Sequence, residues 1–417
     1  MHHLIAIAIA AWFGTGILCY ALFHRVSYNV LDPIMVIAIF IPFSASLLAV
    51  LCATDLVPWS KFLLFSGVLV SYLVGARVAG SFLDRELFRR NLISIGNQFT
   101  QAEIKALLCA AVAITAILAV IGLLHGAGGD NRQQFGKLFR PLLLVQNGLF
   151  LLSLVLLLSQ SFSTYRAASW VLLLAALSIP FSGKGVFVPV LYWLGLRYFV
   201  SGHRVTLRTI TISAAVIVAG VAIMALTAYG ESGFTGVFDL LGYRLWMSGD
   251  VYIYAYKLGG LSALRGEYHV SFLPYMFHPL IALFGIQTYR LPLGSMLASE
   301  AVGKTVLTGP NPQLPVLLDF FFPDSLPTVC IVASIIGFLV IAIRPLSANL
   351  FRSRARFVRL GGMAAGIMAP SAGFIDNEQV QMYLVAIAST VVVGILIDLL
   401  LRPSRPSLRT VRAASAN

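Results

Sequence analysis

Apolar stretches close to the length of a membrane-spanning helix recur along most of this chain. A transmembrane α-helix needs about 20 mostly apolar residues, and eleven segments approach that length, the sixth and seventh being short and nearly fused. The sequence therefore predicts an all-α polytopic membrane protein of about eleven spans, near residues 4–22, 32–53, 62–83, 105–125, 141–160, 167–181, 185–200, 209–229, 325–343, 359–375 and 379–401.

The composition agrees with this reading and excludes several classes of protein. Apolar residues make up 59% of the 417 residues, charged residues make up 11%, and the mean hydropathy is +0.89. Soluble globular chains carry about 45–50% apolar and about 25% charged residues, so a soluble enzyme, a disordered chain and a disulfide scaffold are excluded. The four cysteines lie far apart in apolar runs, which favours buried side chains over metal or redox chemistry. No metal or cofactor is expected.

Basic residues predict the orientation of the spans. Eighteen Lys and Arg fall in the connections on one side and ten on the other, with Arg77 inside the third span. The richer side is expected in the cytoplasm, which places the C-terminus inside and the N-terminus outside. The net charge of +13 is then a signature of orientation, so no nucleic-acid partner is expected. The N-terminal apolar stretch lacks a preceding Lys or Arg, which indicates a retained first span.

The spans divide the chain into four parts. Residues 1–229 hold spans one to eight, 230–324 form a large periplasmic loop, 325–401 hold spans nine to eleven, and 402–417 form a basic cytoplasmic tail. The loop is too long for a simple connector and is rich in Tyr, Arg and acidic residues, a mixture that suits a sugar ligand. Within it, the apolar stretch 270–299 predicts a re-entrant or surface-lying helix pair.

Two short motifs stand apart from the general composition. Ser182-Gly183-Lys184-Gly185 separates the sixth and seventh spans, and it suits either a phosphate-binding corner or a tight turn with an interfacial Lys. Gly309-Pro310-Asn311-Pro312 lies near the end of the loop, and its residue preferences predict a rigid turn.

Taken together, residues 165–345 resemble the Wzy-type polymerases of O-antigen (oligosaccharide) repeat units. The resemblance rests on the break at Ser182–Gly185, one further span and then the large loop. Its motifs within the loop are Tyr243-Arg244-Leu245, Gly249-Asp250-Val251-Tyr252-Ile253-Tyr254, His278-Pro279, Leu291-Pro292-Leu293-Gly294 and Gly309-Pro310-Asn311-Pro312. One departure is Lys184, where the family motif more often has Arg, because Lys lacks the two-pronged fork that matches a diphosphate.

The resemblance implies a GT-C-like membrane glycosyltransferase in the bacterial inner membrane that needs no metal. It would pass a growing glycan, held on undecaprenyl diphosphate, to another lipid-linked repeat unit with inversion at the sugar. Membrane lipids, a flippase and a chain-length regulator are the implied partners. The implied catalytic residues are Asp250 as first choice of base, Arg244 and His278. The implied substrate-binding residues are Lys184, Arg290, Asn311, Glu267 and Tyr254.

Each assignment has a structural alternative. Asp250 and Arg244 could form an ion pair within the loop, His278 could cap a helix, and Arg290 could extend to the membrane interface. Glu267 could be solvated, Asn311 could cap a turn, and any single Tyr could belong to an interfacial belt. Two alternative functions also stay open: an O-antigen ligase, and a transporter or flippase of lipid-linked sugars. A transporter is expected to place charges or broken helices at the bilayer midplane.

Overall fold

Every regular element in the described part of the chain is helical. The computed structural model describes residues 2–29, 31–38, 40–124, 135, 138–158, 163–182, 187–203, 206, 211, 249–267, 271–281, 286, 291–303, 305, 310–323, 325–350, 353, 355–371, 373–374 and 377–401. In the N-terminal half the α-helices are α1 His2–Phe23, α2 Pro33–Ala38, α3 Phe40–Ala53, α4 Trp59–Gly80, α5 Arg85–Gly96, α6 Gln101–Leu124, α7 Arg140–Leu156, α8 Thr164–Ser182 and α9 Phe187–Ser201.

The C-terminal half alternates short helices with long ones. Its α-helices are α10 Asp250–Tyr252, α11 Gly260–Glu267, α12 Phe272–Met276, α13 His278–Ile281, α14 Leu293–Val302, α15 Leu314–Phe321, α16 Leu326–Leu350, α17 Arg356–Met368 and α18 Asn377–Leu401. A π-helical turn, Ile253–Lys257, continues α10, and a 3-10 turn, Ala369–Ser371, continues α17.

Five helical segments of the described chain are long and apolar enough to cross a membrane: His2–Phe23, Pro33–Ala53, Trp59–Gly80, Gln101–Leu124 and Leu326–Leu350. They agree with the first four predicted spans and the ninth. The fifth prediction, 141–160, corresponds to the shorter α7, and the tenth, 359–375, corresponds to α17 of only 13 residues. The eighth prediction, 209–229, lies outside the described residues except for Thr211. The described residues therefore support a helical membrane protein, but not a count of eleven spans.

Helices α4 and α16 cross at two glycines, and each glycine faces the backbone of the opposite helix. A Cβ atom built on Gly75 would overlap the carbonyl oxygen of Ser334, and one built on Gly337 would overlap that of Tyr72. Small residues at such positions let two helix backbones approach closely, which membrane helices use because lipid gives no hydrophobic drive for association. This contact holds α4 and α16 together, and the two ends of the bundle are called here the Trp59 end and the Gly80 end, after the first and last residues of α4.

The Gly80 end holds a buried ion pair that the sequence did not predict. Arg344 was expected in a connection after the ninth span, but α16 continues through Pro345 to Leu350 and keeps Arg344 within the helix. Its side chain and that of Asp32 are both fully buried, and the guanidinium bonds both carboxylate oxygens at 2.7 and 3.0 Å. Nη1 and Nε also donate to the backbone oxygens of Val26 and Gly366, which helps to satisfy the buried charge.

The predicted connection 84–104 contains an amphipathic helix, α5. Asp84 caps its start by accepting a hydrogen bond from the Leu87 backbone. Phe88, Leu92 and Ile95 recur at helical spacing and are buried against the bundle. This one-sided burial keeps α5 at the Gly80 end, since a helix with one apolar face lies along a surface and does not cross it.

Candidate functional site

The large predicted loop reaches the middle of the helix bundle through its last short helix, α15. The Leu314 N–H donates to the carbonyl oxygen of Phe374 at 3.0 Å. The Phe374 ring lies between Phe65 and Tyr72 of α4, at 6.2 and 5.4 Å between centroids. These two residues flank the midpoint of a candidate span, so α15 begins at the middle of the bundle. It then rises towards the Trp59 end, where Asp319 contacts Lys61.

The sequence predicted a re-entrant or surface-lying helix pair at 270–299, where the described residues form α12, α13 and α14. The short helix that begins at the middle of the bundle is α15, and every residue from Leu314 to Phe320 is buried. Non-helical backbone at membrane depth is tolerated only where protein covers it or where it lines a cavity. The hydrogen bond between Leu314 and Phe374 meets this requirement for the backbone groups of these two residues.

A chain of buried polar side chains joins the loop to α3 beside this break. The Tyr252 hydroxyl donates to Oε1 of Gln313 at 2.8 Å, and Nε2 of Gln313 donates to the Ser44 hydroxyl at 2.8 Å. Ser44 lies near the middle of the candidate span Pro33–Ala53. Gly249 packs directly on Ser44, since a Cβ added there would lie 3.0 Å from the Ser44 Cα. Gly249, which begins one loop motif, and Gln313, which follows another, thus both contact Ser44 of α3.

Two of the Pro-containing motifs of the loop, Leu291–Gly294 and Gly309–Pro312, contact each other through Gly294 and Pro310. A Cβ atom on Gly294 would overlap the carbonyl oxygen of Pro310, so only glycine fits at this position. The neighbouring Leu293 N–H donates to the buried Tyr275 hydroxyl at 3.2 Å. The Leu291–Gly294 motif therefore packs against the segment Pro310–Pro312, which leads directly to Gln313 in the buried network.

Three charged side chains form a cluster at the Trp59 end of α15, and this three-charge cluster consists of Asp319, Lys61 and Arg265. Asp319 of α15 is buried, with its carboxylate 2.8 Å from Nζ of Lys61 and 3.0 Å from Nη2 of Arg265. Lys61 lies 5.2 Å above the ring of Tyr256. Burial first, and the Asp319 carboxylate second, raise the pKa of Tyr256 well above its usual value. The Asp319 carboxylate is buried while the two cations remain partly exposed, so the positive charge faces outward.

The structure describes five of the eight predicted site residues. Asp250 begins α10 and is half-buried, His278 begins α13 and is half-buried, and Tyr254 lies in the π-helical turn against the main core. Asn311 is exposed two residues before Gln313, and Glu267 ends α11. Asp250, through Gly249, and Asn311, through Gln313, adjoin the same buried network. Lys184, Arg244 and Arg290 lie outside the described residues.

Several polar residues at this site were not singled out from the sequence. Lys61 was counted only for orientation, Asp319 and Arg265 only as part of the loop's composition, and Gln313 and Ser44 not at all. Only Gln313 and Asp319 could have been noticed in the sequence, because they lie on either side of a short apolar run that follows the predicted turn. Among the described residues, no group of three or more His, Cys, Asp or Glu is placed to hold a metal ion.

The fold and its apolar helices define a helical membrane protein. No family model, no curated protein and no solved structure matches the chain.

Proposed function

We propose that this protein polymerises undecaprenyl-diphosphate-linked oligosaccharide repeat units into a surface polysaccharide. The proposal includes the finer architecture inferred from the sequence: eleven spans with a GT-C-like plan, the Trp59 end facing the periplasm and the C-terminus in the cytoplasm of a bacterial cell. The observation that carries it is the convergence of the loop motifs on the middle of the bundle. Gly249 and Gln313 meet at Ser44, so this polar part of the loop lies among apolar helices.

The chemistry requires a base, a cationic partner for the leaving group and a shielded site. Asp250 would remove the proton from the acceptor hydroxyl, and the resulting oxygen would attack the anomeric carbon of the donor sugar. The bond between that carbon and the diphosphate oxygen then breaks, and the diphosphate leaves with both electrons, inverting the sugar. Arg244, Lys184 and Arg290 are the proposed cations, since Arg and Lys stabilise charge on a departing phosphate. His278, Asn311, Glu267 and Tyr254 are proposed to contact the sugars.

Glycan length in a deletion strain tests this proposal. Deletion should reduce the surface glycan to a single repeat unit on a normal core, and a plasmid carrying the wild-type chain should restore the ladder on a gel. Asp250→Asn and Arg244→Gln should fail to restore it. Glu300→Gln is the matched control, because Glu300 is an exposed acidic residue of the same loop. Normal ladders with both site variants, at equal protein levels, would contradict the assigned site.

The described structure also favours keeping the transporter alternative. Helix α15 begins at the middle of the bundle and the turn at Phe374 lies beside it, and transporters place broken helices at that depth. If the deletion strain accumulates lipid-linked units on the cytoplasmic face, a flippase is the better assignment. If the strain loses every glycan from the lipid A core, single repeat units included, a ligase is the better one.

A further inference from the structure

We infer that Lys61 and Arg265 form a binding site for a phosphate group of a membrane lipid at the Trp59 end. The observation that suggests it is the arrangement of the three-charge cluster. Its side-chain charges sum to one net positive charge, and the buried carboxylate of Asp319 holds both cations on the same side. Lys61 and Arg265 keep 26% and 29% of their side-chain surface exposed, against 3% for Asp319.

The start of α4 adds to the positive potential at this position. Lys61 lies in the first turn of a helix that begins at Trp59, and this turn contains no acidic residue and receives no side-chain cap. The N-terminus of a helix carries a partial positive charge and uncapped N–H groups, so it favours an anion and disfavours a Lys. A cation kept at this unfavourable position, with only one carboxylate for two cations, is suited to a second anionic partner.

Arg265 has a hydrogen-bond donor for which the described residues supply no acceptor. Its Nε atom is buried and has no hydrogen-bond partner among the described residues, while its Nη2 bonds Asp319. Buried donors without a partner are rare in folded proteins, so this Nε atom needs an acceptor that the described residues do not supply. A phosphate oxygen is such an acceptor, because the guanidinium fork matches phosphate geometry.

The position of the site along the membrane normal, indicated by the residues beside it, favours a phosphate that belongs to a lipid. Trp59 is 48% exposed, two residues before Lys61, and Leu63 is 65% exposed on the following turn. Trp side chains concentrate at the level of lipid headgroups, and exposed leucines continue into the acyl region. The identity of the lipid as the undecaprenyl-diphosphate donor rests on the proposed function, whereas phosphate recognition does not.

Binding of farnesyl diphosphate to the purified full-length chain in detergent tests this inference. Lys61→Gln and Arg265→Gln should each weaken binding about tenfold or more, as expected for loss of a charge-assisted contact. Either variant leaves Asp319 one cationic partner, so the fold is preserved; a thermal unfolding curve checks this. Lys257→Gln, which removes an exposed cation of the neighbouring π-helical turn, should leave binding unchanged.

Asp319→Asn separates this site from a purely structural ion cluster. A structural cluster predicts that loss of the carboxylate only destabilises the protein. The phosphate site predicts equal or tighter binding of farnesyl diphosphate, because the net charge rises from one to two. Weaker binding by folded Asp319→Asn protein, or wild-type affinity in both Lys61→Gln and Arg265→Gln, would overturn the inference.

Competing ligands identify the source of the phosphate. Displacement by phosphatidylglycerol micelles as effective as by unlabelled farnesyl diphosphate assigns the site to phospholipid headgroups, and a clear preference for farnesyl diphosphate assigns it to lipid diphosphates. Equal displacement by uncharged farnesol shows recognition of the tail alone and overturns the inference. An unchanged glycan ladder in the deletion strain, together with charge-dependent binding, would reject the polymerase while the phosphate site stands.

Discussion

Arg344 and Asp32 form a fully buried, two-pronged ion pair that joins the late helix α16 to the start of α2. The carboxylate also accepts the backbone N–H groups of Tyr28 and Ile34 at 2.7 and 2.9 Å. The guanidinium lies 4.3 Å above the ring of Tyr28. Both carboxylate oxygens and all three guanidinium nitrogens therefore make hydrogen bonds, and the pair fixes the Gly80 end of the bundle.

Removing one partner of this pair should strongly destabilise the protein. Arg344→Gln leaves the Asp32 carboxylate buried without a cation, which costs about 3–5 kcal/mol in the free energy of unfolding. Unfolding of the purified protein in mixed micelles measures the change. Arg90→Gln is the control, because its side chain is 66% exposed, and it should change the free energy by less than about 0.5 kcal/mol. Equal stability of the two variants would contradict the structural role.

The crossing of α4 and α16 should tolerate no side chain at its two glycines. Gly75→Ala and Gly337→Ala each place a methyl group on a backbone carbonyl of the opposite helix, and overpacking of this kind costs about 1–3 kcal/mol. Gly14→Ala adds the same methyl group in α1, where nothing lies within 4 Å, and should be neutral or stabilising. The same micelle unfolding measures all three. A cost at Gly14 as large as at Gly75 would show that the crossing is not the cause.

The contact between Gly294 and Pro310 should be needed for function. In Gly294→Ala the new methyl group overlaps the carbonyl oxygen of Pro310 and should displace the segment Pro310–Pro312 and, with it, Gln313. On the proposed function, the surface glycan should shorten to a single repeat unit while the protein level in the membrane stays unchanged. Val302→Ala is the control, because Val302 is exposed at the end of the same helix. A full-length ladder with Gly294→Ala would contradict this role.

Stability should fall at alkaline pH because of the buried tyrosines of the loop. Burial raises the pKa of Tyr252 and of Tyr256 well above the usual value. The folded state then keeps protons that the unfolded state releases above about pH 10. This contribution to stability is complete below the unfolded-state pKa and is lost as the pH rises from there towards the folded-state pKa.

The free energy of unfolding, measured between pH 8 and pH 11, checks the direction of this pH dependence. The free energy should be steady at the lower end and decline above about pH 10, and Tyr252→Phe should decline less steeply than the wild type. Tyr165→Phe is the control, because Tyr165 is 88% exposed. Phenolate absorbance of the folded protein should show the buried hydroxyls staying protonated at pH 10. Full ionisation at that pH would contradict their burial.

The sequence predicted the long apolar helices well because each one is a local property. His2–Phe23 and Gln101–Leu124 follow directly from uninterrupted apolar runs. The end of the ninth span was wrong because Arg344 and Pro345 together look like the start of a connection. A charge ends an apolar run only if it is unpaired, and its partner Asp32 lies 312 residues away.

The candidate site was harder to predict because its polar residues are brought together by packing. Asp250 and Asn311 were singled out by their motifs, and both lie beside the buried network. Ser44 and Lys61 carry no such signal, since each is a single polar residue in or beside an apolar segment. The position of α15 was not predicted because a short apolar stretch interrupted by Asp319 is compatible with a surface helix as well as a buried one.

The shortness of α15 also dictates the order in which the protein is assembled. Its 8 residues extend about 12 Å at 1.5 Å per residue, well below the roughly 30 Å hydrocarbon thickness, so the translocon cannot retain it as a stop-transfer segment. With the orientation proposed above, the segment is exported together with its loop and then packs against α4 and α16 from the Trp59 end. The buried contacts of Gln313 and Asp319 would then form only after this export.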